Sequence, residues 1–328
     1  MAPKPLVYNA TLVERVDLTS ALTLFRVMPD ERPAPGWFTP GQYCVLGMNN
    51  EAQPELGSVR RSMSIASAPE EDGPIEFYIR FVAKPESENP LTHLLWKLKN
   101  GDRMYMRPVA AGVFTVKDTI GDADPRLRVM VAAGTGSAPF VSMVRSELRR
   151  NPEADLSKWV LLHGASYAAD LGHRDELMGY VETHGLRYWG TVSRPKECPG
   201  WTGDTGRVEN FFAGDRLAEL ERRLGMQPGG FLPTKAVIFI CGLQGTIGTT
   251  IENLCARGFV PDHKRMREAL GVPTEAPATL FYEQYDTEPV IDIKNPAVVE
   301  PLKAQRLFLE RGIDGVRVEG RSTSSCRR

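Results

Sequence analysis

The sequence predicts two domains, an antiparallel Greek-key β-barrel followed by an α/β domain with a doubly wound, five-stranded parallel sheet. Three observations carry this expectation. Up to about residue 118, short β-rich runs alternate with Pro/Gly turns, as they do in small barrels. After Gly121-Asp122-Ala123-Asp124-Pro125 the rhythm changes to apolar runs separated by helical segments, the pattern of a parallel sheet covered on both faces. The first of these later runs ends in Gly134-Thr135-Gly136-Ser137-Ala138-Pro139-Phe140, a glycine turn that opens into an amphipathic helix. The expected boundaries are 1–120 for the barrel, 121–285 for the α/β domain and 286–328 for a C-terminal extension with a disordered end.

In the barrel, strands are expected at Ala10 to Val16, Ala21 to Val27, Gln42 to Leu46, Arg61 to Ala66, Ile75 to Val82, Arg103 to Arg107 and Val113 to Val116. Turns such as Pro33-Ala34-Pro35-Gly36 and Glu71-Asp72-Gly73-Pro74 separate them. One helix interrupts, Leu91 to Lys99, starting after Asn89-Pro90 with Leu91, Leu94, Leu95 and Leu98 on one stripe. A linker near 119–126 leads to the parallel strands, read at Leu127 to Ala133, Trp159 to His163, Leu186 to Val192, Ala236 to Cys241 and Thr279 to Tyr282. In the extension a helix is expected around Pro301 to Arg311, before a basic tail, Arg321 to Arg328.

Composition narrows the function classes. The 328 residues, 42% hydrophobic and 25% charged, are enough for a core in each of two domains. A formal net charge of -1 provides no broad field for nucleic acid or anionic membranes. The five cysteines, Cys44, Cys198, Cys241, Cys255 and Cys326, are odd in number and form no C-x-x-C pair, against both a disulfide framework and a zinc site. They also lack the C-x4-C-x2-C spacing of a plant-type iron–sulfur cluster, so no metal centre is expected. Met1 to Ala10 has no apolar export core, and no window is long enough for a membrane span, which leads us to expect a soluble, cytoplasmic protein.

Two segments carry chemistry on their own residues. In the glycine turn, small residues let backbone N–H groups and the helix N-terminus approach a pyrophosphate. Pro139 takes the third site of the Gly-x-Gly-x-x-Gly pattern, so the segment reads either as a nucleotide cradle or as a plain tight turn. In Arg61-Ser62-Met63-Ser64, strand alternation sends Arg61 and Met63 one way and Ser62 and Ser64 the other. An arginine suits a bidentate grip on phosphate and a hydroxyl can address a ring nitrogen; the alternative is an edge-strand arginine with solvated serines.

Taken in order, Gly41-Gln42-Tyr43, Arg61-Ser62-Met63-Ser64, Pro90-Leu91-Thr92, Gly112-Val113-Phe114, the Gly134 turn and Cys241-Gly242 resemble the ferredoxin-NADP reductase family of flavoproteins over about residues 8–285. The resemblance implies FAD on the barrel, with Arg61 on its pyrophosphate, Ser62 in the same segment and Ser64 near flavin N5. Met63 stands where the family usually has tyrosine, and its thioether can still cover the ring. The backbone of Leu91 and Thr92 is implied to help hold the FAD pyrophosphate, and Gly134, Thr135 and Gly136 that of a nicotinamide dinucleotide.

Ser193 and Arg194 match the family's pattern for the 2′-phosphate of NADP(H), with Arg207 as a candidate third contact, since hydroxyl and guanidinium donors replace the acidic residue that holds an unphosphorylated ribose. The alternative is a solvated turn at Arg194 and Lys196. Cys241, with Gly242, is implied to sit beside the nicotinamide C4 and to orient the ring, because no histidine pairs with it in an evident motif. Glu283 and Tyr285 resemble the acidic residue and flavin-covering aromatic with which plant-type members end, although here the chain continues. Ser64, Cys241 and Glu283 are therefore the expected catalytic residues. His163 and Tyr167, at the end of the second parallel strand, read as core or loop packing, the alternative being that they border the cofactor.

The implied activity is hydride transfer from NADPH to FAD and single-electron transfer to ferredoxin or flavodoxin, or the reverse. Such acidic carriers would be steered by barrel-side cations, with Arg32, Arg60, Lys84, Lys97, Lys99 and Arg103 as candidates. The alternatives are a reductase component supplying a separate oxygenase, and a non-catalytic FAD-containing electron-transfer subunit.

Overall fold

The computed structural model describes residues 5–31, 33–285 and 287–305. Six antiparallel strands form the first sheet: β1 (Ala10–Thr19), β2 (Leu22–Pro29), β3 (Tyr43–Asn49), β4 (Ser58–Ser64), β5 (Ile75–Arg80) and β6 (Arg103–Met106). Their order is β4-β3-β6-β1-β2-β5, and an antiparallel bridge between Ile65 and Phe77 joins the two outer strands, closing the barrel. Alternation fills it: Leu12, Phe25, Val27, Cys44, Leu46, Phe77 and Ile79 point to one buried cluster, lidded by Leu91, Leu94 and Leu95 of the short helix α1 (Leu91–Leu95).

Two sequence motifs meet at one place in this barrel. Gly41 has φ +101, and a Cβ there would lie 2.1 Å from the Phe114 carbonyl oxygen, so only glycine fits. Beside it the Gln42 amide donates to Gly112 O at 2.8 Å and Tyr43 pairs with Ala111. The expected strand Val113 to Val116 does not form. Beyond Ala111 the chain turns into a four-residue helix, α2 (Val116–Thr119), because Thr115 Oγ1 accepts from the Asp118 N–H at 2.9 Å and caps it. The expected helix Leu91 to Lys99 is likewise shorter: after Leu95 it loosens into turns closed by Leu98 N–H to Leu95 O at 3.0 Å.

The second sheet has β7 (Leu127–Ala133), β8 (Trp159–Ala165), β9 (Arg187–Val192), the two-residue β10 (Asp204–Thr205), β11 (Ala236–Gly242) and β12 (Leu280–Gln284), in the order β10-β9-β8-β7-β11-β12. The register is parallel between β8 and β9, β9 and β10, and β11 and β12. Helices α3 (Ala138–Arg150), α4 (Arg174–His184), α5 (Gly214–Arg223), α6 (Gln244–Cys255) and α7 (Lys264–Ala269) intervene. Every residue of β11 is buried, as its unbroken apolar sequence requires.

The chain falls into two compact units, one running to Pro125 and resuming over Val129–Val208, the other holding Arg126–Arg128 and the described residues from Glu209 onward. Inside the first unit the outward face of β5 is also buried. Glu76 there accepts from Arg26 Nε, Arg145 Nη1 and His173 Nε2, each at 2.9 Å, and Arg145 also forks onto Glu176 with two bonds of 2.7 Å. Arg145 lies on α3, so this ion network clamps that helix to the barrel strand. In the second unit the buried Glu221 of α5 accepts from the N–H groups of Gly229 and Phe231 at 2.9 and 3.0 Å and from Arg257 at 3.0 Å.

The extension begins within this second unit. Val290 O accepts from Gln244 Nε2 at 3.2 Å and lies against Gly248 of α6, where a Cβ would come within 2.5 Å of it. The helix expected around Pro301 to Arg311 starts earlier, spanning 296–305 with Val299 and Leu302 buried. Its remainder and the basic tail lie outside the described residues.

Candidate functional site

The glycine turn closes β7. Gly134 takes φ +55, the stretch Gly134–Ser137 forms one 3-10 turn, and α3 follows directly. Pro139 falls in the first turn of α3, where a missing N–H costs no hydrogen bond, which explains how proline stands at the third site of the pattern. Behind the turn His163 of β8 is fully buried, with Nε2 3.1 Å from Gly134 O and Nδ1 3.2 Å from the Tyr188 hydroxyl. A carbonyl only accepts, so Nε2 carries the hydrogen and Nδ1 accepts from Tyr188. Burial pushes the His163 pKa down to about 4, with the Gly134 bond opposing and His173 adding to the fall, so the ring is neutral. In front of the turn stands Arg80, the last residue of β5, whose Nη1 would lie 3.7 Å from a Cβ at Gly134.

Whether this turn suits a dinucleotide is answered by its own groups. The Ser137 hydroxyl is buried there with no hydrogen-bond partner, and a guanidinium faces the glycine backbone. Small residues, an unsatisfied donor and a cation are the groups a pyrophosphate needs. Arg80 was not singled out from the sequence, since nothing in its local pattern distinguishes the end of one strand from another. His163, read there as packing, is buried as expected and in addition holds the turn.

On β4, exposure does not alternate cleanly as expected. Arg60, Arg61 and Ser62 are exposed in succession, Met63 packs against the barrel cluster, and Ser64 is buried. The last two residues are drawn in by the Ile65 to Phe77 closure. Arg61 Nη1 donates to Arg60 O at 2.8 Å, keeping the guanidinium at the surface. Leu91 and Thr92 are buried at the start of α1, and Thr92 Oγ1 accepts from Val82 N–H at 3.3 Å. Beside them is a cleft lined by Asn50, Phe81, Asn89, Pro90, His93 and Lys97.

At the far edge of the second sheet, Val192 pairs with Thr205, so Ser193-Arg194 and Arg207 emerge side by side from neighbouring strand ends. Ser193, Arg194 and Arg207 are all exposed. Arg194 stacks over Tyr167 with its guanidinium carbon 5.5 Å from the ring centroid, donates to the Tyr167 hydroxyl at 2.9 Å and lies 3.8 Å from Glu197. Tyr167 packs against the Leu171, Val192 and Cys198 cluster, as expected, and is also a platform for Arg194.

In the second unit the β11–β12 register sets Cys241 against Glu283 and Gly242 against Gln284, and Tyr285 N–H donates to Gly242 O at 3.1 Å. Cys241 is fully buried, its Sγ 3.9 Å from a Glu283 oxygen, while Tyr285 is 41% exposed. Burial, and then the Glu283 charge, raise the Cys241 thiol well above its ordinary value, with a Tyr285 bond opposing. It stays a thiol at neutral pH, unsuited to be a nucleophile. Among the barrel-side cations, Arg60, Lys84, Lys97 and Lys99 are exposed, and Arg32 lies outside the described residues. Arg103 is committed elsewhere: it forks onto Asp30 and donates to Thr11 Oγ1 at 2.7 Å, so it is not available for steering.

Known proteins are similar to this chain in sequence and in fold. A family profile described as "Oxidoreductase NAD-binding domain" matches residues 130–250. The chain is 34% identical to ferredoxin–NADP reductase B of Sorangium cellulosum over 70% of its length and 80% of that protein. It is 29% identical to the flavodoxin/ferredoxin–NADP reductase of Rhodobacter capsulatus over 74% of its length and 83% of that protein. In fold it is similar to a ferredoxin NADP+ reductase from Neisseria gonorrhoeae with bound FAD and NADP, at TM-score 0.66 and 21% identity over 85% of this chain and 98% of that one. The family profile and these relatives, on this two-domain fold, mark an NAD(P)-dependent flavin oxidoreductase, an electron-transfer flavoprotein. The chain belongs to the ferredoxin–NADP reductase family.

Proposed function

We propose that the chain is an NADPH-dependent reductase that moves a hydride from NADPH onto FAD and passes electrons singly to ferredoxin or flavodoxin, or runs in reverse. When bound, FAD supplies the conversion from two-electron to one-electron chemistry. Arg61, Ser62, Met63 and Ser64, with the backbone of Leu91 and Thr92, would hold FAD in this reading, and Ser64 would offer its hydroxyl to the flavin. The turn of Gly134, Thr135 and Gly136 binds the dinucleotide pyrophosphate, with Arg80 neutralising its charge. Cys241 and Gly242 would orient the nicotinamide, Glu283 would hold a charge or proton close to Cys241, and Tyr285 would be the aromatic ring that covers the flavin.

The observation that favours NADPH over NADH is the β9–β10 register, which sets Arg194 and Arg207 at adjacent strand ends with Ser193 between them and β9. Two guanidiniums and a hydroxyl suit a 2′-phosphate. The soluble carriers expected as partners fit a cytoplasmic setting, and among the described residues no helix is long and apolar enough to cross a membrane. Exposed Arg60, Lys84, Lys97 and Lys99 supply the positive steering charge.

The deciding experiment is anaerobic titration of the purified protein with NADPH and, separately, NADH, following the flavin absorption band, then reoxidation by ferredoxin or flavodoxin. Bleaching at much lower NADPH than NADH, followed by carrier-dependent recovery, is expected. A flavin that stays oxidised with both nucleotides would overturn the reading. A second reading, a reductase component for a separate oxygenase, draws support from 28% identity to the phenol hydroxylase P5 protein of Acinetobacter pittii over 63% of this chain and 53% of that protein. Preference for NADH, with electrons accepted only by an oxygenase-linked ferredoxin, would favour it.

A further inference from the structure

We infer that His163, held by Tyr188, is a positioning residue for the dinucleotide: it fixes the Gly134–Thr135 peptide so that its N–H faces the incoming pyrophosphate. The inference rests on the proposed dinucleotide site and adds to it a residue that never touches the ligand.

It follows from peptide geometry. In a trans peptide the C=O and N–H point in opposite directions. The Gly134 carbonyl points inward to His163 Nε2 at 3.1 Å, so the Thr135 N–H of the same peptide points away from the interior. Gly134, at φ +55 and without a side chain, has the backbone freedom to let this peptide flip. A flipped peptide would present a carbonyl oxygen to an anion, replacing an attraction by a repulsion. His163 opposes the flip because losing this bond would leave Nε2 of a fully buried ring, which water does not reach, without a partner.

Tyr188 completes the device. Its hydroxyl, 3.2 Å from Nδ1, supplies the hydrogen that keeps Nδ1 an acceptor and so keeps the ring hydrogen on Nε2. The ring is also wedged edge-on against Tyr188, with centroids 6.2 Å apart. Because the pyrophosphate is common to both nicotinamide dinucleotides, the effect is independent of the 2′-phosphate, unlike that of Arg194.

The test is a set of full-length, FAD-loaded variants assayed for flavin reduction under anaerobic conditions with NADPH and NADH. His163→Gln carries an amide nitrogen about where Nε2 stands, while His163→Asn reaches only to the Nδ1 position. We expect His163→Asn to raise KM about tenfold for both nucleotides with kcat within about twofold, and His163→Gln to stay within about threefold of the parent KM. Tyr188→Phe is expected to raise KM for both nucleotides by a smaller factor, about threefold. Equal KM values in the Gln and Asn variants, or a rise confined to NADPH, would overturn the inference. Should His163→Asn fail to fold, Tyr188→Phe and His163→Gln decide it, since an unchanged KM in the first or a tenfold rise in the second overturns it equally. If the parent protein itself is not bleached by either nucleotide, it is the proposed function that fails instead.

Discussion

The glycine turn and strand β4 are both expected to grip phosphate, yet the protein builds them in opposite ways. The turn presents backbone, and everything behind it is fixed: His163 holds Gly134, and Arg145 clamps α3 to β5 through the buried Glu76. Strand β4 presents a side chain, Arg61, exposed and bonded to the neighbouring carbonyl of Arg60. A backbone cradle is organised before the ligand arrives, whereas an exposed arginine must be ordered by it, at a cost of up to about 2 kcal/mol in side-chain entropy. Substitutions behind the turn should therefore act on folding as well as binding, and those on β4 on binding alone.

The largest effect is expected at the clamp. Glu76→Gln leaves Arg145 and His173 without their shared counter-charge, and breaking a buried ion network from one side costs about 3–5 kcal/mol. Urea unfolding should show the loss; a change below about 1 kcal/mol would mean that the network contributes little to holding α3 in place.

Acid should act through the same region. Burial favours the neutral Glu76, but the hydrogen bond from His173, the charges of Arg145 and His173 and the hydrogen bond from Arg26 outweigh it and hold the carboxyl well below the usual range. Its contribution is therefore present above an unfolded carboxylate's value of about 4.3 and lost as pH falls below it. His163, with a folded value of about 4 against about 6.5 unfolded, also has a depressed pKa. Its share, on the order of 3 kcal/mol, is full above about pH 6.5 and disappears as pH falls toward 4. Stability measured from pH 7 to 4 should fall, and His163→Gln should flatten that slope; an unchanged slope would place the acid sensitivity elsewhere.

Glycines separate folding from binding. At Gly41 a Cβ would collide with the Phe114 carbonyl at 2.1 Å and the φ of +101 is itself strained for other residues, so Gly41→Ala should cost about 3 kcal/mol or more. At Gly134 the nearest atom would be Arg80 Nη1 at an ordinary 3.7 Å, leaving a backbone penalty of about 1–2 kcal/mol. Thermal melts of the two variants should differ accordingly, with Gly134→Ala showing its larger effect in nucleotide KM.

This division also marks how far the sequence could be read. The two periodicities and the glycine turn are local, and they announced the barrel, the parallel sheet and the turn that leads from β7 into α3. Val113 to Val116 misled because β-branched residues mark a strand only where a partner strand exists, and here Thr115 caps a helix instead. Glu76, Arg80 and His163 owe their roles to partners brought close by the fold, such as Arg145 and Gly134, and no spacing along the chain encodes those pairings. Cys241 and Glu283 became legible as a pair only through the β11–β12 register.

The smallest effects on stability belong to the exposed arginines, and they sharpen the contrast most. Arg194→Ala should leave unfolding within about 0.5 kcal/mol of the parent while raising KM for NADPH about tenfold and leaving NADH unaffected. Arg61→Ala should be equally neutral for the folded apoprotein, because its guanidinium caps no buried group. Its effect should appear only when FAD is present, as loss of flavin during gel filtration and as a smaller rise in melting temperature on adding FAD, since a ligand stabilises in proportion to how tightly it binds the folded chain. If Arg61→Ala instead lowered the melting temperature of the apoprotein, β4 would be part of the framework and the distinction between a preformed cradle and a ligand-ordered grip would be lost.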